Sequence, residues 1–166
     1  MILFPPDRFN VNEWFIIIVI LTVLSCMWML PRRFPPSMVL LTSLVPLLFA
    51  KVFDSILLLP PFEMYYVNDI KQVEWFDLLL YLMYLPFGYL FLYAYDWFRP
   101  KPVSTVAILT VTSLLAVLFE WVTVKVGVFY YTGWKIYYSL PVYITVQSLY
   151  IILFERMKSE YIRTKR

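Results

Sequence analysis

The run WFIIIVILTVLSCMWML, residues 14–30, contains no Asp, Glu, Lys or Arg. A segment of that length and polarity has lipid as its natural solvent. Four further apolar stretches follow, at residues 37–59, 75–95, 103–124 and 134–154. With 62% hydrophobic and 15% charged residues over 166 positions, and a mean hydropathy of +0.74, a soluble domain would have too little interior to hold them. The expected fold is all-α: a polytopic transmembrane helical bundle of five spans, forming one integral membrane domain over residues 1–166. The alternative is four complete spans, with the weakest segment, around Pro141, re-entrant.

The interruptions punctuate these spans. PRRFPPS, residues 31–37, carries Arg32, Arg33 and three prolines; it ends one helix and starts the next, with Ser37 as the expected N-cap. The second span contains Pro46, Lys51 and Asp54 before Pro60 and Pro61 stop it. Asp77 lies in the first turn of the third span, Pro86 and Gly88 in its middle, Glu120 near the far end of the fourth, and Lys135, Pro141 and Gln147 in the fifth. Proline within a membrane helix is tolerated where neighbours satisfy the carbonyl it frees.

The single cysteine, Cys26, excludes an intrachain disulfide and is expected to be buried and inert in an uncleaved span. The absence of histidine removes the usual ligand and general base of haem, zinc and Ser-His-Asp chemistry. No cofactor, metal or catalytic residue is expected. The formal charge of +3 comes in large part from a short cationic tail, MKSEYIRTKR, read as an anchor to anionic membrane lipids. Nucleic acid is not an expected partner.

Basic residues orient the bundle. With the N-terminus outside, Arg32, Arg33, Arg99, Lys101, Arg156, Lys158, Arg163, Lys165 and Arg166 fall inside, nine of the 14 cations; Arg8, Lys71, Lys125 and Lys135 fall outside, and Lys51 lies within a span. The positive-inside rule therefore predicts N-out, C-in.

At about 1.5 Å per residue, Lys51 and Asp54 lie roughly 20–25 Å along their helix from the inner side, and Glu120 reaches a similar depth on its own. Asp77 sits in the outer turn of the third span. Adding Gln147, from a stripe with Ser139, Tyr143, Tyr150 and Phe154, gives a candidate polar cavity of Lys51, Asp54, Asp77, Glu120 and Gln147. Charge in hydrocarbon is expensive, so such residues face protein, water or a partner. A Lys51/Asp54 ion pair acting as a brace, a solute or ion site, and simple snorkelling all fit the spacing. Packing equally explains the Glu120 stripe, Thr105, Leu109, Thr112, Ala116, Glu120 and Thr123.

FEWVTVKVGVFYYTGWKIYYSLP, residues 119–141, is the most distinctive segment. Gly127 and Gly133 bracket VFYYT and permit a tight turn or a short interfacial strand. In its Glu-Trp, Lys-Val-Gly and Gly-Trp-Lys-then-Tyr arrangement the sequence resembles small multi-span membrane proteins of Gram-positive spore-forming bacteria. That resemblance implies a bacterial plasma-membrane or spore-membrane location, and supplies neither an activity nor a catalytic residue. Tyr130, Tyr131, Trp134, Tyr137 and Tyr138 form a candidate partner surface, for which anchoring at lipid headgroups is the plainer reading.

The leading functional expectation is a noncatalytic membrane component that binds or scaffolds a membrane partner, another membrane protein or a second copy of itself. A small transporter, channel accessory or lipid-binding protein using the polar cavity comes next. An intramembrane enzyme is third, since tyrosine, glutamate and lysine do not by themselves define a reaction.

Overall fold

The structure, a computed structural model, describes residues 9–68, 74–98 and 102–164. Five long helices cross back and forth: α1 (Val11–Met29), α2 (Pro36–Leu57), α3 (Trp75–Phe98), α4 (Pro102–Lys125) and α5 (Ser139–Thr164). All five are long and apolar enough to cross a membrane, the segment before α5 included, so the four-span alternative is set aside and the chain is a multi-pass membrane bundle. Two three-residue strands, β1 (Tyr65–Val67) and β2 (Phe129–Tyr131), pair antiparallel across one end. That end, where α2 and α4 finish and α3 and α5 begin, is the sheet end. Arg8, Lys71, Arg99, Lys101, Lys165 and Arg166 lie outside the described residues.

Local chemistry sets the helix boundaries. The Asn10 amide donates to the Glu13 carboxylate at 2.5 Å, which closes the first turn of α1. α2 begins one residue before the expected cap: Pro35 is the N-cap and Pro36 the first helical residue. Proline suits that position because its missing N–H would have had no acceptor. α4 ends in a Schellman turn, with Gly127 N–H donating to Val124 (3.3 Å) and Val128 N–H to Thr123 (2.8 Å). Gly127 takes φ +81°, a conformation that disfavours any side chain. α5 starts at Ser139 rather than at residue 134, after a 3-10 turn over Ile136–Tyr138, and runs on to Thr164, so the basic tail is helical through that residue. Pro141 is then in the first turn, where it costs no intrahelical hydrogen bond.

In lipid, helices associate through close packing and hydrogen bonds rather than through hydrophobicity. α3 packs against α1 and α2, and α5 against α2 and α4. Towards the end opposite the sheet, Met38, Leu92, Tyr95, Tyr150, Ile151 and Phe154 form one core. Near the sheet, Ile16, Val67, Leu80, Met83 and Val128 form another, and Phe119 joins α4 to Phe15 and Phe87. Where α2, α3 and α5 meet, Gly88 makes room for the Pro46 ring: a Cβ at Gly88 would lie 2.4 Å from Pro46 Cγ.

Cys26 is exposed on the bundle surface, contrary to the expectation that it is buried. The buried positions of α1 are Asn12, Glu13, Ile16 and Val23 and none follows, so Cys26 lies past the contact with α3.

At the end opposite the sheet, Asp96 takes Arg33 at 3.0 Å and Lys158 at 2.5 Å. The Arg33 guanidinium also lies 5.0 Å from the Trp97 ring centre and 5.4 Å from that of Tyr93. This tie joins the α1–α2 connection, the end of α3 and the helical tail.

Candidate functional site: two carboxylates under a two-stranded cap

Each strand pins one acidic helix. Tyr65 of β1 and Tyr131 of β2 are directly opposed in the ladder. The Tyr65 hydroxyl donates to Asp54 Oδ1 on α2, and the Tyr131 hydroxyl donates to Glu120 Oε1 on α4. The cap is therefore fastened at two points, and each fastening gives a carboxylate in the bundle a neutral donor.

Further donors complete both environments. Tyr81 of α3 donates to Asp54 Oδ2 at 2.6 Å. Ser139, the first residue of α5, donates to Glu120 Oε1 at 2.7 Å, and Trp134 Nε1 donates to the Ser139 oxygen at 2.9 Å. Tyr143, one turn further along α5, also reaches Glu120 with its hydroxyl. Burial, and after it the adjoining carboxylate, raises the Tyr65 phenol far above its ordinary range; for Tyr131 burial is again the first cause and the bond to Glu120 the second. Both phenols therefore remain protonated donors at physiological pH.

Lys51 and Asp54 make no direct ion pair. The exposed Lys51 ammonium stands over the Tyr81 ring, 5.0 Å from its centre, while tyrosine hydroxyls occupy both Asp54 oxygens. Tyr84, half-buried on α3, lies in the electrostatic field of both Asp54 and Glu120.

The other two candidate cavity residues stand apart from this pair. Asp77 accepts from Asn68 Nδ2 at 2.6 Å and from the Glu74 amide at 2.9 Å, bonds that close the first turn of α3 and hold the residue following β1. It senses Asp54 and Lys51 only through space. Gln147 sits two turns below Ser139, its amide 2.7 Å from the Thr112 hydroxyl and 3.1 Å from that of Ser113, clamping α5 to α4.

The aromatic segment divides into two sets. Tyr131 and Trp134 turn inward to the Glu120 network. Tyr130, Tyr137 and Tyr138 are exposed, and Tyr130 stacks on Tyr66 across the sheet at 4.9 Å and 5°. Sequence reasoning missed Tyr65 and Tyr66 as members of this end. The signal available for the strand was YYV at 65–67, an aromatic and β-branched triplet matching FYY at 129–131.

Among the described residues no group of three or more His, Cys, Asp or Glu is placed to hold a metal ion. No protein-family model, curated protein or solved structure matches the chain.

Proposed function

We propose that this chain is a noncatalytic membrane component that binds a small polar ligand, a solute or a lipid headgroup, at the sheet-capped end of its bundle. The observation that carries this reading is the convergence of Tyr65 and Tyr131, cross-strand partners, on Asp54 and Glu120 of different helices. A structural brace needs one such tie. Two carboxylates from separate helices, each hydrogen-bonded to a tyrosine of the same cap, concentrate polar groups at that end of the bundle. The reading includes an N-out, C-in orientation, with the sheet outside, in the plasma or spore membrane of a Gram-positive bacterium.

A second reading, a scaffold for a membrane partner, draws on the exposure of Tyr130, Tyr137 and Tyr138 beside the sheet. Aromatic groups of this kind anchor protein interfaces and headgroups alike. A photo-crosslinking residue placed at position 84, and separately at 137, in native membranes tests both. The ligand-binding reading expects low-mass adducts, solute or lipid, at 84. No adduct at 84 together with one recurring protein adduct at 137 would replace it with the scaffold.

A further inference from the structure

The two ends of the bundle use their cations differently. Opposite the sheet, Arg33 and Lys158 share Asp96, and Arg163 pairs with Glu160. At the sheet end the acids are served from within the fold: Asp54 by Tyr65 and Tyr81, Asp77 by Asn68 and the Glu74 amide, Glu120 by Tyr131 and Ser139. Lys51, Lys125 and Lys135 stand over aromatic rings instead, 5.0 Å from the centre of Tyr81, 5.7 Å from that of Trp121 and 6.0 Å from that of Tyr137. Among the described residues no carboxylate pairs with any of the three, and Glu63 is the one exposed acid at that end.

Two of these lysines head one surface. Val111, Leu114, Leu118, Trp121 and Lys125 follow one another at intervals of three and four residues, so they line one face of α4, and all five are exposed. The stripe is about 20 Å long. That is enough to cross the hydrocarbon of one leaflet, about 15 Å, and enter the headgroups, where Lys125 ends the helix. The fold brings Lys135 to the same place. β2 and the Ile136–Tyr138 turn both pack on α4. Trp134, beside Lys135, bonds to Ser139 at 2.9 Å, and Ser139 to Glu120, beside Trp121, at 2.7 Å.

We propose that this stripe binds an anionic phospholipid, its acyl chain along Val111, Leu114 and Leu118 and its phosphate at Lys125 and Lys135. The match is one of charge and of order. Apolar side chains, an indole and then ammonium groups repeat the sequence of acyl chain, interface and phosphate that a lipid presents along the same depth. An ammonium without a carboxylate of its own is free to meet a phosphate, and each lysine near an anionic lipid surface adds to the attraction. In the basic tail, by contrast, Lys158 and Arg163 are already held by acids of the chain. This surface lies outside the capped carboxylates and does not depend on the ligand-binding reading above.

The test titrates the purified full chain in neutral detergent with phosphatidylglycerol or with phosphatidylcholine of the same acyl chains, and counts retained lipid by native mass spectrometry. Phosphatidylglycerol is expected to be retained in preference. Lys125→Gln and Lys135→Gln should each lower that preference about fivefold and leave the unfolding midpoint unchanged, while Lys125→Arg should preserve it. An Arg156→Gln/Arg163→Gln double variant in the tail should leave the preference intact. Equal retention of the two lipids overturns the inference. So does a preference lost in the tail variant but kept in both lysine variants, which moves the lipid contact to the tail. A co-purifying protein that the lysine variants release, with no preference between lipids, gives the surface to a protein partner and overturns it as well.

Discussion

The Tyr150 hydroxyl donates to the Thr42 carbonyl across the α5–α2 interface at 2.7 Å. Thr42 is four residues before Pro46, whose ring nitrogen has no hydrogen to offer that carbonyl. The tyrosine thus replaces the missing helical bond from a neighbouring helix, and the proline ring it accommodates rests against Gly88. This is how a proline is retained in the middle of a membrane span.

Tyr150→Phe should therefore destabilise the bundle by about 1–2 kcal/mol by orphaning the Thr42 carbonyl. In a Pro46→Ala background residue 46 supplies its own N–H, and the same change should cost close to nothing. Unfolding of the four proteins in detergent measures the coupling, and an equal cost in both backgrounds would contradict the replacement.

Gly88→Ala should destabilise by about 1–3 kcal/mol, since its Cβ would fall 2.4 Å from Pro46 Cγ and a proline ring cannot swing aside. The penalty should shrink when Pro46 is also alanine. Thermal unfolding of the single and double variants checks this.

The aromatic segment should split by role. Tyr131→Phe removes a donor from buried Glu120 and is expected to cost about 1–2 kcal/mol. Tyr137→Ala, at a residue 60% exposed, should leave the midpoint within about 0.5 kcal/mol. Equal loss of stability in the two variants would place Tyr137 in the fold as well.

At the opposite end, Asp96→Asn should lower stability by about 1 kcal/mol, and by less as salt is raised, because it leaves Arg33 and Lys158 side by side without their shared carboxylate. Glu160→Gln, whose pair with Arg163 is open to solvent, should have no measurable effect. Denaturation at low and high ionic strength distinguishes the two.

Orientation is testable on a Cys26→Ser chain. Single cysteines at the exposed positions 63 and 132, at the sheet, should react with an impermeant reagent in intact cells. Cysteines at the exposed positions 32 and 160 should react only after lysis. The reverse pattern would invert the bundle.

The number of spans, the helix-breaking prolines and the glycine that ends α4 were legible in the sequence because lipid and backbone sterics act on short stretches of chain. Asp54 and Glu120 were legible too, because charge within an apolar helix must be accounted for locally. Their partners were not. Tyr65 was one of 14 tyrosines, and the YYV triplet that marks its strand does not say which carboxylate its hydroxyl reaches. It acquired its role when β1 paired with β2 and set it opposite Tyr131, a match between residues separated by two whole helices. The inward turn of Trp134 depends likewise on Ser139 opening α5, and the Pro46–Gly88–Tyr150 junction on three helices meeting at one depth. A hydrogen bond is decided by a few tenths of an ångström between groups that the chain brings together from afar, and hydropathy has no information at that scale.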